Sequence, residues 1–283
     1  MQGTRSIKLA VCLSIPLALW AQTPRGPANA YTVEEDVRMG RTLGAEASGQ
    51  LTLIEDPQVR AYVLMLGQIL SSRLPENQFA FQFQVFDDTK PVGPMPPGGY
   101  MFPYGPRENG GMEPIAVAGG PVFIPAGLLV KAASEAQFAG MLAHSIAHIA
   151  LRHPTRLATL ARQLSGDAAP PSQPGDTQNQ DKSNATLFPE GLLSLARDYE
   201  LEADALATRI VASAGYDPRA FIELLRHLPH GTQHRIFRPF TSVPSIKSRI
   251  ATIEKEMRSL PPNDYSGQTG QFESISARLK GSR

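Results

Sequence analysis

The sequence has one cysteine, Cys12, and this residue lies in an N-terminal stretch that has the features of an export signal. Once that stretch is removed, the chain has no thiol, which excludes disulfide bonds and cysteine catalysis. The net charge is only +1, so no strong field favours an acidic membrane surface, and no nucleic-acid partner is expected. No later segment is apolar over the roughly 20 residues that a membrane helix needs, so no stable span is expected after signal cleavage.

Residues 1–21 are predicted to be a cleaved signal peptide. Arg5 and Lys8 make its start basic, and the apolar run that follows is interrupted by Pro16 and is too short to cross a bilayer comfortably. Cleavage after Ala21 is preferred, and the small residues at 28–30 offer an alternative site. The sequence therefore predicts an exported protein.

The rest of the chain is predicted to form one mainly helical domain over residues 31–258. Apolar residues recur at helical spacing along most of it, and short alternating stretches indicate a small β-sheet. Pro121, directly after two glycines, favours an edge strand over a central one. Residues 90–112, rich in Pro and Gly, and 165–184, rich in polar residues, are predicted to be flexible insertions, and 259–283 a disordered tail.

Two histidines four positions apart, His144 and His148, lie in an apolar run that is predicted to be a helix. Residues at this spacing share one helix face, so both imidazoles can reach one divalent metal ion. The arrangement is that of the H-E-x-x-H zinc peptidases, except that Ser145 stands where their glutamate would be. Alone, such a pair is more often two packed or exposed histidines, so a third ligand is needed to support a metal site.

A third ligand is available in the acidic stretch of the next long predicted helix. Glu200 and Asp204 share one helix face, so Glu200 can bind the metal while Asp204 accepts a hydrogen bond from a ligand histidine. Glu202 points away from that face and is expected to be solvated. His153 is expected to interact with the last carbonyls of the histidine helix rather than with the metal.

These residues give the chain a resemblance to the gluzincins of the HtpX and CAAX-prenyl-protease type, peptidase family M48, particularly the small periplasmic members. The resemblance implies a mainly α (α+β) gluzincin domain, with an active-site helix, a second ligand-bearing helix and a small β-sheet. It implies one Zn²⁺ ion bound by His144, His148 and Glu200, with Asp204 as a supporting carboxylate that contacts a ligand but not the metal. It is carried by Ala116-Val117-Ala118-Gly119-Gly120, Leu142-Ala143-His144, Ala147-His148, Arg152-His153, Glu200 and Ala203-Asp204.

The resemblance also implies a polypeptide partner and the periplasm as the compartment. The strand formed by Ile115, Ala116 and Val117, or the one at 122–124, would border the cleft. A polypeptide substrate or client could add to that edge as an extended strand.

Three features depart from the family pattern. Ser145 replaces the catalytic glutamate, Val243 replaces a histidine that often precedes a proline near the last helix, and the loop 90–112 is longer than usual. Of these, Ser145 decides the mechanism, because a serine hydroxyl is not basic near neutral pH. General acid–base assistance is worth about 10²–10⁴-fold in rate, so peptide hydrolysis is expected to be impaired.

Three functional hypotheses follow from these features. The first is an exported zinc metalloendopeptidase-like protein, with metal bound and hydrolysis weak or absent. The second is an inactive pseudo-peptidase that binds extended or unfolded polypeptides in the inherited cleft, as a chaperone or adaptor. The third is a helical scaffold without metal.

Overall fold

The computed structural model describes residues 27–93, 101–102, 112–165, 190–227 and 244–281. The predicted signal peptide at 1–21, most of both predicted insertions and the departure at Val243 lie outside the described residues. No helix in these five ranges has the length and apolarity that crossing a bilayer requires.

Helices form most of the described chain, because the apolar residues recur every three or four positions. Thr32 caps the first helix, and it forms with Glu35 the reciprocal pair of hydrogen bonds that defines a capping box. The prediction of a mainly helical protein with a small sheet is confirmed. The described helices are α1 (Val33–Gln50), α2 (Pro57–Ser71), α3 (Ala126–Lys131), α4 (Glu135–Ala150), α5 (His153–Ser165), α6 (Glu190–Ser213), α7 (Arg219–His227), α8 (Ile246–Met257) and α9 (Phe272–Gly281).

The sheet contains β1 (Gln82–Phe86), β2 (Met101–Phe102), β3 (Ile115–Val117) and β4 (Pro121–Pro125). Its strand order is β1-β4-β3-β2, with β1 and β4 parallel and the other pairs antiparallel. Strand β4 is therefore central, and the expectation of an edge strand from Pro121 was wrong. Proline is tolerated because it is the first residue of the strand, where its missing N–H costs least.

Strand β3 is also interior to the described sheet. Met101 pairs with Val117 and Phe102 pairs with Ala116, so β2 covers the side of β3 that faces away from β4. Ile115, Ala116 and Val117 therefore have no open edge in the described sheet, and the addition of a substrate to this strand stays a prediction. The same pairing places a short strand inside the 90–112 stretch, which was predicted to be a flexible insertion.

Helix α4 runs through the middle of the hydrophobic core and is buried along nearly its whole length. It packs against α6, α7, α2 and β3. Gly140 permits the close approach of α7, because a Cβ at this position would lie 2.6 Å from Phe221 Cβ. Burial on all sides explains why the helix is apolar almost throughout, apart from the polar groups that form the site described below.

Residues 259–281, which belong to the predicted disordered tail 259–283, are described by the structure and include helix α9. Phe272, Ile275 and Leu279 lie on one face of α9 and are buried. This face packs against α3 and α2. The three residues recur at helical spacing, a signal that is visible in the sequence but short enough to be overlooked among polar neighbours.

Glu135, in the first turn of α4, holds the segment before α9 in place. Its carboxylate accepts hydrogen bonds from the Thr269 main chain at 2.7 Å, and from the hydroxyls of Tyr216 at 2.8 Å and Tyr62 at 3.2 Å. The C-terminal part of the chain is thereby attached to the start of the helix that carries both site histidines.

Candidate metal centre

His144, His148 and Glu200 meet at the crossing of α4 and α6. The two Nε2 atoms, one helical turn apart on α4, lie 3.1 Å from each other. Glu200 approaches from α6, with one oxygen 3.3 Å from His144 Nε2 and the other 3.7 Å from His148 Nε2. All three side chains are buried, and one ligand atom from each lies within 4.8 Å of the others, so the group could hold a metal ion.

The donor set fits a zinc-like cation. Two nitrogens bound at about 2.0–2.1 Å to a tetrahedral zinc ion are roughly 3.3 Å apart, close to the separation of these two ring atoms. Glu200 Oε2 is buried, and among the described residues it has no hydrogen-bond partner. A buried carboxylate oxygen without a partner is costly, and a cation between the two imidazoles would satisfy it.

Asp204 supports the histidine nearest to it, one turn along α6 from Glu200. Its Oδ1 atom lies 2.9 Å from His144 Nδ1. A hydrogen bond from Nδ1–H to this carboxylate leaves the Nε2 lone pair directed at Glu200 and His148, as a metal ligand requires. The structure therefore places Asp204 where the sequence predicts a supporting carboxylate.

Arg249, which the sequence reasoning missed, is the buried cation of this site. From α8 its guanidinium donates to both oxygens of Asp204, at 2.8 and 2.7 Å. It also donates to Glu113 at 2.5 Å. A signal was present, because Arg249 falls between Ile246 and Ile253 on the apolar face of an amphipathic helix, where an arginine must have buried partners.

Glu113 borders the site on the side of the sheet, just before β3. Burial alone would raise the pKa of its carboxyl, but the charge of Arg249 outweighs burial and keeps this pKa below its usual value. A small cavity between β3 and the two site helices is lined by Glu113, Pro114, Ala116, His144, Ser145, His148 and Glu200.

The pKa values of the two histidines are shifted in opposite directions. Burial and Arg249 oppose a charge on His144, but the neighbouring carboxylates of Asp204 and Glu200 prevail and raise its pKa to about 9. Burial and the neighbouring His144 hold the pKa of His148 well below its usual value. Burial raises the pKa of Glu200. The surroundings therefore favour a charge on His144 over a charge on His148.

Ser145 lies on α4 beside His144 and lines the same cavity. Its hydroxyl is buried and donates a hydrogen bond to the Met141 carbonyl at 3.3 Å. The side chain thus brings a neutral hydroxyl to the position where an H-E-x-x-H site has a carboxylate.

His153 does not interact with the last carbonyls of α4, and that prediction was wrong. Helix α4 ends at Ala150, and the chain turns at Arg152, whose φ is +59°. His153 therefore begins a new helix, and its Nδ1 atom lies 3.1 Å from His148 Nδ1. The prediction assumed that one helix continues past Arg152, and a continuous helix would direct the His153 ring elsewhere.

Glu202 is not solvated either. Its side chain is 13% exposed, and one oxygen lies 3.3 Å from His153 Nε2 and 3.9 Å from Arg156. The prediction placed it correctly on a different face of α6 from Glu200 but missed α5, which packs against that face.

Comparison with known proteins connects this geometry to a family. The model of peptidase family M48 matches residues 113–257, just over half of the chain. The range includes Glu113, Ser145, all three candidate ligands, and their supports Asp204 and Arg249.

Curated relatives are similar over most of this chain at low identity. A putative beta-barrel assembly-enhancing protease of Vibrio cholerae serotype O1 is 23% identical over 245 residues, covering 82% of this chain and 46% of that protein. The beta-barrel assembly-enhancing protease of Escherichia coli K12 is 22% identical over 246 residues, covering 82% and 45%. The Yersinia pestis protein of that name is 21% identical over 217 residues, covering 70% and 38%. The chain thus spans less than half the length of these relatives.

Proposed function

This chain belongs to peptidase family M48, and on that premise we propose that it is an exported zinc metalloendopeptidase-like protein with impaired peptide hydrolysis. His144, His148 and Glu200 hold one Zn²⁺ ion, and Asp204 orients His144. The converging ring nitrogens and the unsatisfied Glu200 oxygen support the metal assignment. When bound, zinc supplies Lewis acidity at the cavity beside β3.

Ser145 is the observation that carries the impairment. Hydrolysis in this family type needs a group that accepts a proton and returns it to the leaving amine. The Ser145 hydroxyl is not basic near neutral pH, and its hydrogen is donated to the Met141 carbonyl. The chain's own side chain at this position therefore neither accepts nor delivers the proton.

Glu113 does not replace the missing base. Among the described residues that line the cavity, it is the one carboxylate besides Glu200. However, it is paired with Arg249, and its pKa is lowered by that charge. To accept a proton it would have to give up a buried ion pair, which is costly.

The second candidate function is a pseudo-peptidase that binds extended or unfolded polypeptides as a chaperone or adaptor. The names of the relatives refer to beta-barrel assembly, which supports a polypeptide as substrate or client. The basic and apolar stretch at 1–21 supports export, with the periplasm as the compartment. In this function the metal holds α4 and α6 together beside the cavity without supporting turnover.

Zinc content and cleavage of an unfolded protein substrate, measured on the mature chain, test the proposal. We expect about one zinc ion per chain and cleavage near background. Ser145→Glu should raise cleavage by about 10²–10⁴-fold, because it restores a carboxylate beside the ligands. Strong, chelator-sensitive cleavage by the unmodified protein would show that hydrolysis is not impaired. A chain that stays metal-free when zinc is supplied would reject the metal in both candidate functions.

Suppression of aggregation of an unfolded client separates the two candidates. If the chain acts as a chaperone, it suppresses aggregation at near-stoichiometric ratios, and Ser145→Ala does so equally well. A chain that binds zinc but neither protects nor binds unfolded clients would reject the second candidate.

A further inference from the structure

His148 has a buried partner on the side of its ring that faces away from the candidate metal. We propose that His153 and Glu202 form a positioning relay, which orients His148 for metal binding as Asp204 orients His144. This inference rests on the proposed metal site. It assigns a role to Glu202, which was predicted to be solvated, and to His153, which was predicted to interact with the end of a helix.

The three side chains lie in series. His148 Nε2 faces His144 and Glu200, while His148 Nδ1 lies 3.1 Å from His153 Nδ1. The other nitrogen of His153, Nε2, lies 3.3 Å from a carboxylate oxygen of Glu202. Both nitrogens of His153 are therefore used, one toward the candidate ligand and one toward an acid.

The carboxylate of Glu202 determines which nitrogen donates and which accepts in each hydrogen bond of this series. An ionised carboxylate only accepts, so His153 carries its hydrogen on Nε2 and donates it to Glu202. The Nδ1 atom of His153 then has a lone pair and accepts from His148. His148 consequently carries its hydrogen on Nδ1, which leaves its Nε2 lone pair free to bind a cation.

The surroundings hold His153 in one orientation. Its ring is fully buried and stacks on Tyr199, with ring centres 4.3 Å apart and planes within 4°. Arg156 lies over the Tyr199 ring, 4.9 Å from its centre. The turn that directs His153 toward His148 is held by an ion pair, in which Arg152 Nε donates to Asp36 Oδ2 at 2.7 Å.

Helix α6 thereby supplies three carboxylates with distinct tasks. Glu200 faces the cation, Asp204 supports His144 directly, and Glu202 supports His148 through His153. The alternation of Glu200, Glu202 and Asp204 matches this division, because α4 lies on one side of the helix and α5 on the other. A histidine that served only for packing would need neither a hydrogen on one particular ring nitrogen nor a contact with the candidate metal ligand His148.

Zinc affinity, measured by chelator competition on the mature chain, tests the relay. His153→Leu removes the acceptor and should weaken zinc binding about 10–100-fold, the usual effect of losing such support. Glu202→Ala should have a similar effect. His153→Asn should recover most of the affinity, because its amide oxygen can take the place of Nδ1. Tyr199→Phe, which keeps the stacked ring, is the matched control and should bind zinc like the unmodified protein.

A spectroscopic measurement separates positioning from packing. In ¹⁵N-histidine spectra of the zinc-loaded protein, His148 should carry its hydrogen on Nδ1 and His153 on Nε2. Circular dichroism of the metal-free variants checks folding, and should His153→Leu not fold, Glu202→Ala and His153→Asn still decide the outcome. Zinc bound as tightly by Glu202→Ala as by the unmodified chain, or a His153 hydrogen on Nδ1, would overturn the relay alone. An unmodified chain that binds no zinc would overturn the proposed function together with it.

Discussion

The Ser145 hydroxyl donates to the carbonyl of Met141, one turn earlier on the same helix, at 3.3 Å. Serine side chains within helices often bond back to the main chain in this way. The residue beside the candidate ligand His144 is thus satisfied by its own helix and contributes no charge to the cavity.

Ser145→Ala should therefore be nearly silent. The Met141 carbonyl already accepts a main-chain bond in α4, so the loss of the hydroxyl should change the free energy of unfolding by less than about 1 kcal/mol. Zinc affinity should change by less than about threefold. Urea unfolding and chelator competition measure the two effects. A large loss of zinc binding in this variant would show that the hydroxyl takes part in the site.

Replacing Arg249 should be strongly destabilising. Arg249→Met removes the guanidinium that pairs with buried Asp204 and with partly buried Glu113. Removing one partner of a buried ion pair costs about 3–5 kcal/mol. The double variant Arg249→Met/Glu113→Gln should be less destabilised than the single one, because one unpaired charge is gone. Urea unfolding of the metal-free protein measures both, and a mild effect of the single variant would contradict the assigned ion pairs.

Zinc binding should strengthen as the pH rises toward 9. Burial lowers the pKa of His144, but the neighbouring carboxylates of Asp204 and Glu200 outweigh burial and raise this pKa to about 9. A protonated imidazole cannot bind metal, so zinc must displace one proton from His144 at neutral pH. Apparent affinity should rise about tenfold per pH unit and then level off. Calorimetry in buffers of different ionisation enthalpy should detect about one proton released per zinc, and a flat pH profile would contradict this.

Truncating a buried residue of α9 should destabilise the whole domain. Leu279 is 1% exposed, and a buried leucine changed to alanine costs about 2–5 kcal/mol. Lys280→Ala, on the exposed side of the same helix, is the control and should change stability by less than about 0.5 kcal/mol. Thermal unfolding compares the two, and equal melting temperatures would show that this helix does not contribute to the fold.

Opening the edge of β3 should increase binding of extended polypeptides. Met101→Pro/Phe102→Pro removes the main-chain donors of β2 and disfavours its pairing with Ala116 and Val117. Met101→Ala/Phe102→Ala retains those donors and serves as the control. Fluorescence anisotropy of a labelled unfolded peptide should show tighter binding to the proline variant only. Unchanged or weaker binding would indicate that polypeptides do not use this edge.

The parts of the site that the sequence predicts are those that depend on local helix geometry. His144 and His148 share a face because they are four residues apart, and the same holds for Glu200 and Asp204. The crossing of α4 and α6 then brings the three candidate ligands together, as the resemblance implied.

The parts that were missed depend on turns and on packing between distant elements. His153 contacts His148 only because the chain turns at Arg152 with a positive φ, which nothing in helical periodicity predicts. Arg249 and Glu202 acquire their partners from other helices. Strand order in the sheet likewise depends on long-range pairing, which alternation along one strand does not specify.

The long sequence separation between Arg249 and its partners has a consequence for the timing of metal uptake. Glu113, His144 and Asp204 all precede it, so the charged surroundings of the candidate ligands are incomplete until α8 has been synthesised. A nascent chain that ends before α8 carries all three candidate ligands but lacks the guanidinium that pairs with Asp204. A metal ion bound by these ligands would therefore have its complete surroundings only after α8 has packed against α6.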